Sequence, residues 1–302
     1  SRDPKKSAGV LQQGKQVRYR FIQEHSIGHG VRRLCRLLEV SVSGYYAWRQ
    51  RPVSWRARQD VELLKHIRTL FAAGRGVYGY RRIHAQLQAI MPCGRDRVAR
   101  LMRRDKLQPR PRRRFVVTTQ SRHSLPVAPN LLAQDFQATT VNEKWLADIT
   151  YIPTDEGWLY LATIEDLFSR FIAGWAMESY LTDQLTRKSL QMALERRRPH
   201  EGLIHHSDRG SQYASNEYRA MLAKARIVPS MSGTGNAYDN APMESFFSRL
   251  KNELIHHRHY RTRQEARCDI FEYIEVFYNR QRAHSALGYR SPSQFEALLV
   301  TP

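Results

Sequence analysis

The chain has 302 residues, 41% of them hydrophobic, and a net charge of +21. This length predicts at least two domains, and the hydrophobic content excludes a chain that is disordered throughout. No apolar run approaches the roughly 20 residues that span a bilayer, and Cys35, Cys93 and Cys268 form no CxxC pair. We therefore expect a reducing compartment and no membrane partner.

The positive charge is confined to the first part of the chain. Residues 1–130 contain 29 Lys+Arg against 7 Asp+Glu, a net charge of +22, whereas residues 131–302 contain 20 against 21, a net charge of −1. A polyanionic partner, most simply nucleic acid, explains this asymmetry. A basic tail or a membrane-surface patch is the alternative, but the helical periodicity of the basic half favours nucleic acid.

Residues 1–14 show no periodicity, and we expect them to be flexible or foreign to the protein. Helical spacing of apolar residues begins at Val31, breaks after Leu38 and resumes beyond Ser41, which can cap the second helix. Residues 15–55 therefore predict a helix-turn-helix-like unit, although an ordinary helical hairpin fits the same pattern.

Residues 56–107 predict a three-helix DNA-binding unit. The first helix ends at Gly74 and Gly76, and the third begins after Gly94. The basic face of the third helix carries Arg95, Arg97, Arg100, Arg103 and Arg104. Such a helix is typical of one that enters a DNA groove, with a solvated basic face as the alternative.

Residues 108–134 predict a linker rich in proline and arginine. Proline keeps such a segment extended, and arginines in it can neutralise phosphates. The arginines assigned to DNA binding here are Arg110, Arg112, Arg113 and Arg114.

Residues 135–302 predict an α/β domain. Three strands joined by short turns begin near Trp145, and helices alternate with short strands after them. Helices near residues 242–254 and 263–280 follow. This order is typical of a ribonuclease-H-like core. We expect Trp145, Trp158 and Trp175 in its interior.

Three acidic residues stand at defined points of these elements. Asp148 lies inside the first strand, Asp208 directly follows a short strand, and Glu244 lies one turn into a helix. Each alone has an ordinary explanation, as a turn residue, an ion pair or a favourable partner of the helix dipole. Gathered at one sheet edge they repel one another, which predicts that divalent cations lie between them. Carboxylate oxygens suit Mg²⁺ or Mn²⁺, and two such ions support phosphoryl transfer.

Four sequence segments resemble one family of enzymes. They are Trp145–Tyr151, His206–Tyr213, Asp239–Phe247 and Tyr278–Tyr289, and 35 residues separate Asp208 from Glu244. Together they resemble the DDE transposases of the bacterial insertion-sequence-three family, whose core is similar to that of retroviral integrases. The first segment reads WLADITY and the third DNAPMESFF.

The resemblance implies an integrase-type, ribonuclease-H-like core preceded by all-α DNA-binding units. It implies metal-dependent cleavage at insertion-sequence ends and transfer of a 3′-hydroxyl to another strand, with Asp148, Asp208 and Glu244 holding two Mg²⁺ or Mn²⁺ ions. Lys251, seven residues after Glu244, would contact DNA from the same helix face.

The resemblance also implies partners and a location. The partners would be double-stranded DNA, as ends and as target, and further copies of the chain in a dimer or larger oligomer. A first-frame product of the same element, carrying a further helix-turn-helix and a leucine zipper, is another expected partner. A bacterial cytoplasmic, nucleoid-associated location would follow.

Weaker assignments and alternatives complete the prediction. His205, His206 and Asn240 flank the acids and could orient ligands or the scissile phosphate, or could simply pack. A catalytically inert DNA-binding regulator and a ribonuclease-H-type nuclease are the alternative functions. The intact set of acids disfavours the first, and the basic helical units disfavour the second.

Overall fold

In the computed structural model, which describes residues 13–109, 126–233 and 237–300, the chain divides into two compact units between Leu63 and Leu64. The predicted flexible segment lies almost wholly outside the described residues. So do four arginines assigned to DNA binding in the linker, namely Arg110, Arg112, Arg113 and Arg114.

The described part of the first unit begins with the helices α1 (Lys15–His29), α2 (Val31–Leu37) and α3 (Val42–Gln50), and it ends within the next helix. Ile22, Leu34 and Tyr45 form part of its buried core. The Ser41 hydroxyl accepts a hydrogen bond of 3.0 Å from the backbone N–H of Gly44, which caps α3 as predicted. The predicted helix pair is confirmed. Helix α1 was not predicted, because Ile22 is its one buried side chain and its apolar stripe is therefore weak.

The three predicted helices that follow are also confirmed. They are α4 (Trp55–Ala73), α5 (Tyr80–Leu87) and α6 (Arg95–Arg104). The apolar side chains predicted to face inward are buried, namely Ile83, Leu87, Val98, Leu101 and Met102.

Tyr78, just before α5, connects the pair of helices α5 and α6 to the C-terminal part of the second unit. Its hydroxyl oxygen accepts a hydrogen bond of 2.9 Å from the backbone N–H of Ala283, and its ring stacks on Phe277. Nearby, Arg75 forms an ion pair of 2.6 Å with Glu272. Helices α5 and α6 are therefore part of the same compact unit as the sheet.

The sheet has five strands in the order β3-β2-β1-β4-β5. They are β1 (Lys144–Thr154), β2 (Gly157–Asp166), β3 (Ile172–Glu178), β4 (Ile204–Ser207) and β5 (Val228–Met231). The first three pair antiparallel, whereas β4 and β5 run parallel to β1. This is the predicted ribonuclease-H-like arrangement.

Helix α7 (Asp183–Arg197), the short α8 (Ser211–Ala214) and α9 (Asn216–Lys224) pack against one face of the sheet. Helix α7 approaches β3 so closely that a Cβ on Gly174 would lie 2.1 Å from the carbonyl oxygen of Ser189. Only glycine permits this packing.

The C-terminal helices are α10 (Ala241–Glu253), α11 (Arg263–Phe271) and α12 (Pro292–Val300), and α11 continues as a π-helical segment at Glu272–Tyr278. Three short 3₁₀ segments accompany them, at Ala237–Asn240, Ile255–His257 and Ser285–Leu287. The predicted extents of both long helices are confirmed, whereas the π-helical turns were not predicted.

The tryptophan prediction is only partly right. Trp145 is fully buried, but the side chain of Trp158 is 48% exposed because it lies beside the turn that joins β1 to β2. Its ring meets the edge of Tyr151 with 4.9 Å between centroids. Trp175 is half-buried and donates a hydrogen bond of 2.7 Å from its indole N–H to Glu275.

Among the described helices, none combines the length and the hydropathy needed to cross a membrane.

Candidate active site

The sheet register places two of the predicted acids side by side. Strands β1 and β4 are parallel neighbours, and Ala147 is paired with Ser207. Asp148 is the next residue of β1, and Asp208 directly follows the end of β4, so both acids lie at the same level, just beyond the paired segment. The fold thereby brings together Asp148 and Asp208, which have 59 residues between them in the sequence.

Backbone N–H groups orient both carboxylates. Asp148 Oδ1 accepts a hydrogen bond of 2.7 Å from Ile149, and Asp208 Oδ1 accepts one of 2.9 Å from Gly210. A Cβ on Gly210 would lie 3.0 Å from Asp208 Oδ1, so the turn after β4 favours glycine at that point.

The environment of Asp148 resists its ionisation. Burial, followed by the charge of Asp208, raises the pKa of Asp148 well above its usual value, and Glu244 contributes in the same direction. The hydrogen bond from Ile149 and the charge of Lys251 act the other way. A positive ion between the two aspartates would stabilise both in the ionised form.

Glu244 lies in the first turn of α10, where it is half-buried and where burial raises its pKa. Its charge acts on Asp148, yet no three acidic, histidine or cysteine side chains in the described ranges are close enough together to hold a metal ion. The structure therefore forms an aspartate pair with the glutamate nearby. The donor set consists of carboxylate oxygens and fits a hard divalent cation, with Glu244 as the third candidate ligand.

Lys251 lies on the same helix as Glu244, two turns further along, and is buried. Its ammonium nitrogen is 5.0 Å from the centroid of the Tyr151 ring. Burial lowers the pKa of Lys251 to about 8, and the charge of Asp148 opposes that shift. Lys251 thus supplies positive charge on the Asp148 side of α10.

The two histidines beside Asp208 have structural partners. His205 Nε2 is 3.0 Å from the Tyr218 hydroxyl, and His206 lies between the hydroxyls of Ser230 and Ser232 at 2.8 and 3.1 Å. Burial lowers the pKa of His205 to about 3 and that of His206 to about 4. Both rings are therefore neutral at physiological pH, and their contacts favour packing over contact with phosphate.

Asn240 connects the two halves of the site. Its Nδ2 donates a hydrogen bond of 3.2 Å to the carbonyl of Ala147, and its Oδ1 is buried without a partner in the described structure. The preceding Asp239, which the sequence reasoning missed, accepts a hydrogen bond of 2.7 Å from Gly233 and others from Asn130 and Gln134. An acid in a Gly/Asn-rich loop is the signal that could have found it.

The predicted basic face of α6 exists. Arg95, Arg100, Arg103 and Arg104 are exposed and Arg97 is half-buried. They lie on α6 apart from the buried Val98, Leu101 and Met102.

Comparisons with known proteins gave matches to the sheet-containing region and to the helical region before it. Two family models described as "Integrase core domain" match residues 138–237 and 244–298, and one described as "HTH-like domain" matches residues 58–115. The "Insertion element IS600 uncharacterized 31 kDa protein" of Shigella sonnei is 49% identical over 263 residues, which cover 87% of this chain and 97% of that protein.

Two further similarities were found. "Transposase InsF for insertion sequence IS3A" of Escherichia coli (strain K12) is 43% identical over 285 residues, covering 93% of this chain and 98% of the relative. Among solved structures, the HTLV-2 integrase catalytic core domain in complex with magnesium is similar at 16% identity and a TM-score of 0.41, over 53% of this chain and 99% of that one.

Proposed function

The chain belongs to the IS3 family of DDE transposases, and from that membership we propose that Asp148, Asp208 and Glu244 are its catalytic residues. It is a DNA transposase, an enzyme of the polynucleotidyl transferase type. The observation that supports the residue assignment best is the pairing of Ala147 with Ser207, which puts Asp148 beside Asp208. The inert regulator and the ribonuclease-H-type nuclease are not favoured.

The proposed reaction is cleavage at an insertion-sequence end, followed by attack of the exposed 3′-hydroxyl on another DNA strand. Asp148, Asp208 and Glu244 would hold two Mg²⁺ or Mn²⁺ ions. When bound, such ions activate the attacking oxygen and stabilise the leaving oxygen of an in-line phosphoryl transfer. The chain's own residues fix the carboxylates through Ile149 and Gly210, and Lys251 places positive charge near Asp148.

The proposed DNA contacts lie mainly in the basic N-terminal part. The arginines of α6 would contact the ends, the linker arginines at 110 and 112–114 would neutralise phosphates, and Lys251 would contact a phosphate near the ions. Such a protein acts where bacterial DNA is, in the cytoplasm on the nucleoid.

The catalytic assignment is tested with charge-removing substitutions of equal shape. Asp148→Asn, Asp208→Asn and Glu244→Gln should each abolish Mg²⁺-dependent cleavage of an end duplex while binding of the same duplex persists. Glu217→Gln is the matched control, because Glu217 also lies in the first turn of a helix but is exposed on α9. Near-normal strand transfer by any of the three variants would contradict the assignment.

We also propose that at least two copies act together, since one set of acids serves one strand at a time. The test mixes a Glu244→Gln chain with a chain altered in the arginines of α6. If the α6 of one copy binds the end cleaved by another copy, the mixture regains cleavage that neither chain shows alone. A mixture as inactive as its components would contradict this arrangement.

A further inference from the structure

A pocket of about 280 Å³ lies beside the first turn of α10, the helix that carries Glu244. Ala241, Pro242 and Ser245 form one wall. Arg249 of the same helix and three further arginines, Arg82, Arg170 and Arg282, also line the pocket, together with Glu165 and His284. Two of these residues, Arg282 and His284, belong to the Tyr278–Tyr289 segment, whose purpose the catalytic proposal leaves unexplained.

Three of the residues that line this pocket each carry a buried polar atom with no hydrogen-bond partner in the described structure. The atoms are Arg282 Nη1, His284 Nε2 and Glu165 Oε2. Arg282 is 1% exposed, and Glu253 Oε2 satisfies its Nε at 2.8 Å, so the guanidinium is held in place with one nitrogen left over. Buried polar groups are nearly always paired, and three exceptions among the residues of one pocket indicate a missing ligand.

The charges identify the sign of that ligand. Arg170 pairs with Glu165 at 3.3 Å, and Arg282 pairs with Glu253. Arg82 and Arg249 form no ion pair with a carboxylate among the described residues, so the pocket retains uncompensated positive charge. The N-terminus of α10 adds the positive end of a helix dipole. An anion is the ligand that these groups favour.

We propose that this pocket binds one backbone phosphate of the DNA strand next to the scissile phosphate. The inference rests on the proposed function, because it places the cleavage site at Glu244, one residue before the pocket-lining Ser245. A guanidinium N–H that donates to a phosphate oxygen forms a charge-assisted hydrogen bond, and Arg282 Nη1 is positioned to donate one because Glu253 binds the other two nitrogens of the group.

Glu165 is compatible with an anion in the pocket. Burial raises its pKa to about 7, although the charges of Arg170 and Arg249 act in the opposite direction. A phosphate nearby favours the protonated carboxyl further, and Oε2 can then donate a hydrogen bond to a phosphate oxygen.

A double-modification cycle tests the proposal. A series of end duplexes, each with one neutral methylphosphonate at a successive position around the cleavage site, is bound without divalent metal to wild-type protein and to Arg249→Gln. At one position the neutral linkage should weaken wild-type binding by about tenfold or more, as expected when a charge-assisted hydrogen bond is removed. Arg249→Gln should weaken binding to a similar degree, and combining the two should add little.

Arg226→Gln is the matched control, since Arg226 is exposed and pairs with Glu201 away from the pocket. Its effect on affinity should be additive with that of the neutral linkage at every position. Additive effects for Arg249→Gln at every position would overturn the proposal, as the pocket would then contain solvent only. If Arg249→Gln unfolds at a lower temperature than wild type, Arg82→Gln gives the same test from another wall.

This result is independent of the catalytic assignment. The binding cycle uses no metal and can be repeated in Asp148→Asn, where the same non-additive position should appear. Failure of the wild type to cleave with Mg²⁺ or Mn²⁺ would instead contradict the proposed function and leave the cycle unaffected.

Discussion

Asn240 donates a hydrogen bond of 3.2 Å to the carbonyl of Ala147, and this bond joins the entrance of α10 to the residue directly before Asp148. Asn240 is four residues from Glu244 and one residue from Asp239, which is itself held by the N–H of Gly233. The bond therefore links the element carrying Glu244 to the strand carrying Asp148. In the catalytic proposal, Asn240 is a positioning residue and not a metal ligand.

Replacement of Asn240 by alanine should weaken the metal site more than the fold. We expect the Mg²⁺ concentration for half-maximal cleavage to rise by about 10–100-fold, the range typical when a group that orients a metal ligand is removed. Titration of cleavage with Mg²⁺ measures this, and saturating Mn²⁺ should recover part of the rate. Asn252→Ala is the control on the same helix, because Asn252 donates its hydrogen bond to Ser248 within α10. An unchanged metal requirement in Asn240→Ala would contradict the positioning role.

The buried pair of Glu253 and Arg282 should be costly to break on one side. Glu253→Gln leaves the guanidinium of Arg282 without its carboxylate partner, and also weakens the 2.8 Å hydrogen bond from Tyr273. We expect the free energy of unfolding to fall by about 3–5 kcal/mol, measured with urea. The exposed pair of Arg226 and Glu201 is the control, and Glu201→Gln should cost less than about 1 kcal/mol. Equal costs in the two variants would show that burial does not determine the effect.

Acid should destabilise the protein through His205 and His206. Their folded-state pKa values of about 3 and about 4 lie below the unfolded value of about 6.5, so the unfolded chain binds protons first as the pH falls. The stability that the two neutral histidines contribute is complete above about pH 6.5. It is lost as the pH decreases towards their folded-state pKa values.

His205→Gln should remove one histidine from this dependence while keeping a partner for the Tyr218 hydroxyl. Between pH 6 and pH 4, the free energy of unfolding should fall less steeply for the variant than for wild type. The two slopes should differ by about 1.4 kcal/mol per pH unit, the contribution of one proton. Urea unfolding at several pH values measures the difference. His200→Gln, at an exposed position, is the control for replacing a histidine and should leave the free energy of unfolding at neutral pH unchanged. Parallel slopes for wild type and His205→Gln would contradict the prediction.

The exposed arginines of α6 should account for part of the salt dependence of DNA binding. Neutralising Arg100 and Arg103 with alanine should make the slope of log affinity against log salt shallower by about 0.9 for each phosphate that the variant no longer neutralises. The double lysine variant keeps the charges and should keep the slope. Titration of an end duplex at several salt concentrations measures both. A slope unchanged by the alanine variant would mean that α6 does not bind phosphates.

Much of the fold was predictable because its elements have strong local signals. The apolar spacing of Val98, Leu101 and Met102 located α6, and the order of strands located Asp148 and Asp208 at element ends. The failures have physical causes. Trp158 is a large apolar residue in a strand, which locally favours burial. Its exposure depends on how far the β1–β2 hairpin extends beyond the neighbouring elements, and a local sequence pattern does not contain that information.

The details of the site depend on contacts between distant segments. The neutral state of His205 follows from its burial in the assembled core, where Tyr218 is its hydrogen-bond partner. Arg282 Nη1 is left without a partner because Glu253, 29 residues earlier, binds the other nitrogens of the guanidinium. Motif spacing indicated which acids the resemblance assigns to the site, but it could not show that no three acidic, histidine or cysteine side chains of the described residues are close enough together to hold a metal ion. Neither could it show that Asp239 accepts a hydrogen bond from the N–H of Gly233, six residues earlier.

The hydrogen bond between Ala283 and Tyr78 has a consequence for the position at which DNA is cut. It joins the segment before α5 to the chain next to Arg282, so α5 and its partner α6 are anchored to the unit that contains the proposed catalytic acids. With α6 held rigidly in its own unit, an end that α6 of one copy binds and another copy cleaves would meet the acids of that other copy after a set number of base pairs. The protein would thus define its cleavage position by a fixed length along the helix axis of DNA, and loosening Tyr78 should spread the cuts over neighbouring nucleotides.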